Sequence, residues 1–295
     1  MDRNNAGILK TPAVRSGNKK ERSVFPVVNA IIFILICLFI MVPIWKVLVD
    51  SFDMQTSYGM RLWPQTFGLA GYISVFTNPT LSHPLMISVI TTVAGTFLEL
   101  ALCTLGGYVL IQWKMPGRGL LSGLLLFTMI FEGGMIPTYL VVDALHMTNT
   151  LFSVIFLPAI NIYNLVLMRN FFEGIPPAIF EASEIDGCTP LQTFFRIVLP
   201  LSKAALASIG LMIAVEYWNN YTTFKIYITN ADLYNFQMKL RSLIMGSDLP
   251  TAIGGATDNA VKNAAVMVAI LPFMILYPFC QKYFIAGISM GSVKE

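Results

Sequence analysis

Apolar residues in this chain run on in long blocks; they do not alternate or mark one helix face. Six such blocks, 25–49, 84–112, 120–142, 151–169, 204–224 and 263–285, are separated by shorter polar stretches. A hydrocarbon core about 30 Å thick takes roughly 20 helical residues to cross. Backbone polar groups must be satisfied inside each segment there. The pattern therefore predicts an all-α polytopic membrane protein with six transmembrane helices. The second block is longer than a crossing needs, which predicts tilt or an interfacial portion. The third is interrupted by Gly133 and Gly134, with Pro137 following. Broken helix at membrane depth is tolerated where it lines a cavity or is buried in protein.

The stretch between the fourth and fifth blocks, about 176–203, is too polar to cross. It reads PPAIFEASEIDGCTPLQTFFRIVLPLSK, with Glu181, Glu184 and Asp186 close together. Pro176 and Pro177 suit a helix start. The helix then runs to Asp186, with Ile179, Phe180 and Ile185 expected on or near one side and the glutamates on another. Gly187 suits a left-handed stop. Thr189 as N-cap, Pro190 in the first turn and Gln192 three residues on read as a capping box opening a second helix. That helix is expected to end before Pro200. Two readings of this helix–turn–helix compete: an elbow resting on lipid headgroups, or a docking element for a soluble partner. Acids outnumber bases, which does not favour anionic lipid.

Lys and Arg set the orientation. The tail before the first block carries Arg3, Lys10, Arg15, Lys19, Lys20 and Arg22, while loop 50–83 carries only Arg61. Loop 113–119 carries Lys114 and Arg118, and loop 143–150 carries neither residue type. Arg196 and Lys203 lie in 170–203. The alternation places both termini and the 176–203 loop in the cytoplasm. The first block follows a 24-residue basic leader and shows no small-residue cleavage pattern, so it is expected to persist as a span. The domain plan is thus a basic tail 1–24, a six-span unit 25–285 and a tail 286–295.

Composition agrees. The 295 residues are 56% hydrophobic and 12% charged, against about 25% charged in a soluble domain. Cys37, Cys103, Cys188 and Cys280 are scattered, and three lie in apolar blocks, where they read as small core residues rather than metal or disulfide partners. His83 and His146 stand far apart, so no metal site is expected. No GxxxxGK[ST] phosphate loop occurs. GISMG, Gly287 to Gly291, fits GxSxG but follows a span at the chain end rather than a strand.

The loop carries a resemblance. EASEIDGCTPLQTFFRIVLPL resembles the EAA loop of ABC importer permeases at Glu181, Ala182, Asp186, Gly187, Phe194, Ile197, Leu199, Pro200 and Leu201. Ser183 and Cys188 replace the usual alanines, and Ala204 a common proline. FEGGMIPTYLVV (131–142), NLVLMRNFF (164–172), EYWNNY (216–221) and YFIAGISMGSVKE (283–295) are similar to carbohydrate-importer permeases of the MalG-like type, LplC/YtcP subgroup. The resemblance implies a bacterial cell membrane protein that is not an enzyme. It implies pairing with a second homologous permease, two ATP-binding cassette ATPases beneath, and an extracytoplasmic sugar-binding protein, with no nucleic acid. Glu181, Ala182, Ser183, Glu184, Asp186, Gly187, Cys188, Phe194 and Pro200 would then couple to the ATPase, and the tail, with Gly291 and Lys294, would reach it too. The chain itself would bind no cofactor; ATP and Mg would sit on the ATPases. The outside loops 50–83 and 225–262 would meet the binding protein, although their aromatic stretches also fit an interfacial belt.

Glu99, Glu132 and Glu216 fall near mid-bilayer by rise per residue. A central charge costs about 2.5–3.5 kcal/mol on insertion scales. These acids should face a cavity, pair with polar groups or be protonated. Glu132, Gly133, Gly134, Glu216, Trp218, Asn219, Asn220 and Tyr221 are candidates to line a sugar path. Helix-to-helix bonding is the competing reading. Glu132 and Glu216 stand where small or uncharged residues are expected in the family, and they would repel a carboxylated sugar unless neutralised or offset. A self-contained carrier or channel is the alternative function, but no internal repeat supports it.

Overall fold

The computed structural model describes residues 25–55, 59, 61–112, 115–246 and 257–292, with 282–292 as backbone alone. The basic tail, Lys114 and Lys294 lie outside the described residues. The helices are α1 (Phe25–Ser51), α2 (Ala70–Thr77), α3 (Pro79–Ile111), α4 (Arg118–Ile130), α5 (Met135–Ala144), α6 (Leu151–Phe156), α7 (Ile162–Glu173), α8 (Pro177–Ile185), α9 (Pro190–Thr193), α10 (Leu199–Leu201), α11 (Lys203–Trp218), α12 (Thr222–Tyr227), α13 (Phe236–Ile244) and α14 (Asp258–Ser292). A π-helical turn, Phe194–Val198, joins α9 to α10. Among the described residues the only β pairing is an isolated bridge between Asp53 and Phe67.

The chain divides into a unit ending at Trp45 and a unit from Lys46 onward. The described part of the first is the apolar length of α1, whose large side chains are exposed, as suits a helix in lipid.

Among the described residues three helices are long and apolar enough to cross a membrane: α1, α3 and the Asp258–Gln281 part of α14. The count rises to five if the bent pairs α4–α5 (113°) and Pro190–Leu201 with α11 (79°) are each one span. The fourth predicted span is missing from this count for a local reason. Block 151–169 is split, with α6 ending at Phe156 and α7 beginning at Ile162. Pro158 lies in the gap and has no N–H to donate. Asn161 then caps α7, its Oδ1 accepting from the N–H of Tyr163 and Asn164 at 3.0 and 3.3 Å. Hydropathy alone does not register such a break.

In the second unit α3 is the mast. α7 and α11 pack along it where it carries glycine. A Cβ on Gly95 would run into the Tyr217 ring of α11, and one on Gly107 would stand 3.1 Å from the Arg169 backbone nitrogen of α7. Small residues permit such close approach between spans. One apolar cluster, including Tyr108, Met168, Phe172, Phe194, Val198, Ile209 and Tyr217, ties α3, α7, the π-turn and α11 together. A second joins α2, α3, α13 and α14 through Val75, Leu81, Phe236, Leu243, Val261 and Ala264. A hydrogen bond from the Phe236 N–H to Ser88 Oγ, 2.9 Å, pins the start of α13 to α3.

Loop 50–69 is organised around one carboxylate. Asp53, nearly fully buried, accepts from the N–H groups of Gln55, Gln65 and Thr66 and, at 2.7 Å, from the Thr66 hydroxyl. Arg61 stands 4.0 Å away. Burial pushes the Asp53 carboxyl up, but the Thr66 hydroxyl and the three N–H donors outweigh it and hold it below the usual carboxylate range.

Candidate functional site

The loop between α7 and α11 folds into a rigid knuckle. α8 opens on Pro176 and Pro177 and closes with a Schellman pattern: Gly187 N–H to Glu184 O at 3.1 Å and Cys188 N–H to Ser183 O at 3.0 Å. Gly187 has φ +74°, the left-handed conformation its position requires. The capping box at Thr189 is complete. Thr189 N–H donates to Gln192 Oε1 at 2.9 Å, and Gln192 N–H donates to Thr189 Oγ1 at 3.4 Å. Such a cap stabilises a helix start by about 1 kcal/mol.

The second limb differs from its expected form: it continues through Pro200. The turn at Phe194–Val198 is π-helical, so the Leu199 N–H reaches back to Phe194 O. Pro200 falls where the ladder changes register and costs no donor. The bend comes at Ser202 instead.

Two contacts from Tyr108 make this knuckle part of the bundle, and Ser183 braces it internally. The Tyr108 hydroxyl of α3 donates to Pro190 O at 2.8 Å, and its ring lies 4.9 Å from that of Phe194. Ser183, itself buried, donates to Phe180 O at 2.7 Å and accepts from the buried Thr193 hydroxyl at 3.1 Å, fastening the two limbs together. The outer face is left open: Glu181, Ala182, Glu184, Asp186 and Gly187 are exposed. Ile185 does not share a side with the half-buried Ile179 and Phe180; it projects at 86% exposure, with Leu191 at 65%. An apolar knob ringed by carboxylates on a stiff lever is suited to a groove in another protein. Behind it, Glu173 at the end of α7 takes Arg169 at 2.9 Å and Arg118, the first residue of α4, at 3.4 Å.

The path candidates fall in two places. Glu132, Gly133 and Gly134 form the exposed link between α4 and α5, where Gly134 has φ +84°. The EYWNNY residues gather at the far end of α11 from the knuckle. Glu216 and Asn219 are exposed there, while Trp218 is buried, its indole N–H donating to Ala269 O of α14 at 2.9 Å. Asn220 Oδ1 accepts from Thr223 N–H at 3.1 Å, and its carbonyl accepts from Asn235 Nδ2 at 2.7 Å. Asn219 Oδ1 accepts from Gln237 Nε2 at 3.3 Å. Tyr221 carries the Arg241 guanidinium over its ring, 4.5 Å from the centroid. Beside Glu216 runs a groove of about 460 Å³ lined by Leu211, Val215, Ile270, Phe273, Met274 and Tyr277; its walls offer little to a hydroxyl.

Glu99 is separate from both sets. It is fully buried, with Oε1 accepting from Asn164 Nδ2 of α7 at 2.7 Å. Sequence reasoning placed it at membrane depth but not against α7. It also passed over Tyr108, Thr193 and Arg241, because their partners lie 10 to 82 residues away, from Thr193 and Ser183 to Tyr108 and Pro190. Among the described residues no group of three or more His, Cys, Asp or Glu side chains forms a metal cluster; Cys37 is exposed and Cys103 buried.

Known proteins resemble this chain along most of its length. Protein LplC of Bacillus subtilis (strain 168) is 37% identical over 286 residues, covering 94% of this chain and 97% of that protein. The polygalacturonan/rhamnogalacturonan transport system permease protein YtcP of the same organism is 38% identical over 274 residues, covering 90% and 95%. The crystal structure of a bacterial ABC transporter involved in importing the acidic polysaccharide alginate contains a chain matching with a TM-score of 0.82 at 28% identity, over 88% of this chain and 96% of that one. The family described as binding-protein-dependent transport system inner membrane component matches residues 11–290. The chain belongs to that family, as a multi-pass membrane transport subunit, not itself an enzyme, of an importer that works with a binding protein and an ATPase.

Proposed function

We propose that this permease carries an oligosaccharide, of a kind that includes carboxylated polysaccharide fragments, driven by ATP hydrolysis on partner subunits. The observation that carries the coupling half is the knuckle at 176–203. Its limbs are fastened by Ser183 and Thr193, its root is held by Tyr108, and its exposed face presents Ile185 among acids. The sugar half is supported by the relatives that transport polygalacturonan and alginate, both built of uronic acids.

In this reading the chain pairs with a second homologous permease above two ATPases, and ATP and Mg sit on those ATPases. It makes six crossings, the fourth interrupted between α6 and α7, with both termini and the knuckle in the cytoplasm. Glu181, Glu184 and Asp186 meet the ATPase, and the tail around Gly291 and Lys294 reaches it too. Closure of the ATPases biases the bundle only through contacts that differ between its states. The exposed α4–α5 link with Glu132 and the Glu216–Asn219 face line the path together with the companion chain. Trp218 backs that face as a wall.

The test is uptake in proteoliposomes holding this chain, the companion permease and the ATPases, with loaded binding protein outside and ATP inside. Oligogalacturonate uptake that requires both ATP and binding protein is expected. Uptake driven by an ion gradient without ATP would support the carrier alternative and overturn the proposal.

A further inference from the structure

We propose that Arg241, stacked on Tyr221, is the recognition point for a sugar carboxylate entering the transporter. This rests on the sugar-import reading above and names the chemistry at its entrance.

α13 is held so that it cannot roll. Phe236, Leu240 and Leu243 are buried on one side and Met238 in a separate cluster on another, and Asn235 both caps the helix and bonds to Asn220 O. Gln237 and Arg241, four residues apart, therefore stay on the side facing the 219–221 turn. The Tyr221 ring takes one face of the guanidinium and fixes its plane, a cation–π arrangement within the usual 6 Å or so. A guanidinium so held keeps its N–H edge for a carboxylate, which it binds bidentately. Arg241 is exposed, and among the described residues no carboxylate is paired with it, whereas Lys46, Arg61, Arg118 and Arg169 each have an acid within 4.0 Å.

One helical turn away the Gln237–Asn219 amide pair offers polar atoms suited to sugar hydroxyls. Glu216 is exposed one turn before Asn219 and can accept from a hydroxyl. Alone it would repel a uronate; Arg241 supplies the opposite charge at the same end of α11. That end is remote from the knuckle, since α11 starts at Lys203 and finishes at Trp218. It is the end at which a binding protein would release its sugar.

The test compares two sugars in the complete reconstituted transporter: an oligogalacturonate and its methyl ester, equal in length but without charge. R241Q is expected to lower uptake of the acid about tenfold, the size of a lost charge-assisted hydrogen bond, and to change uptake of the ester by less than about twofold. R241K, which keeps the charge without the fork, is expected to fall between. Tyr221→Leu, which keeps Arg241 but frees its plane, is expected to weaken the preference for the acid. Equal losses for acid and ester in R241Q would overturn the proposal by assigning Arg241 a structural role. So would a raised requirement for binding protein with both sugars, which would make it a protein-docking contact. An R241Q transporter as active as wild type on the acid would also overturn it while leaving sugar import intact. A wild-type transporter importing neither form would overturn the import reading and this inference together.

Discussion

Gly187 has φ +74°, and nothing lies within 4 Å of where its Cβ would stand. The demand there is conformational, not steric crowding by neighbours. A β-branched residue is strained in the left-handed region, by about 1–2 kcal/mol, and asparagine is tolerated. Gly187→Val is therefore expected to leave insertion intact but to abolish stimulation of the ATPase by loaded binding protein, while Gly187→Asn retains most of it. Unchanged stimulation in Gly187→Val proteoliposomes would remove the rigid turn from the account. Asp53 is the other residue whose chemistry sets local structure. Its carboxyl titrates lower in the folded chain than in the unfolded one. Its contribution to stability is therefore complete above the unfolded value near 3.8 and is lost as pH falls through the lower folded value. Asp53→Ala leaves the N–H groups of Gln55, Gln65 and Thr66 without their acceptor and is expected to destabilise the loop by about 1–3 kcal/mol at neutral pH. The difference between variant and wild type should shrink below about pH 4, as read from thermal unfolding in detergent. Gly187 was legible in the sequence because DG followed by a Thr–Pro cap is a local signal. Asp53 was not, because all its donors but the Gln55 N–H come from Gln65 and Thr66, across a loop with no regular pattern.

Helix packing turns on a few close approaches along α3. At Gly95 a side chain would meet the Tyr217 ring, and that ring's hydroxyl is tied to Ile155 O at 2.7 Å, so it has little room to withdraw. Gly95→Leu is expected to separate α3 from α11 and to cost about 1–3 kcal/mol or more of stability, against little effect from leucine at Gly123, where nothing lies within 4 Å. Detergent melting of the two variants checks this, and equal melting would contradict the mast-like role of α3. The elements themselves were legible to different degrees. The Gly133–Gly134–Pro137 interruption announced the bend between α4 and α5. The split of block 151–169 did not stand out, because α6, the gap and α7 are all apolar enough to read as one span. The passage of a helix through Pro200 depended on a π-turn, which no simple period in sequence reveals.

At the scale of the whole molecule, apolar surface is left open on α1, α3, α4, α5 and α14, through residues such as Phe97, Phe127, Ile130, Leu140 and Phe279. That is expected of a chain whose solvent is lipid and whose companions are other subunits. The family was readable from sequence because the EAA-like pattern is long and local. The approach of α13 to the 219–221 turn, and with it the placing of Arg241 over Tyr221, depends on packing of α13 against α3 and α14, which the chain order separates. The central claim is that an ATPase grips the knuckle and moves the bundle through it. A photo-crosslinking residue in place of Ile185, within the assembled and transporting complex, tests this most directly. The account predicts covalent capture of the ATPase subunit, with a yield that changes when ATP is bound. A complex that still imports sugar, yet never captures the ATPase from position 185 in any nucleotide state, would contradict it.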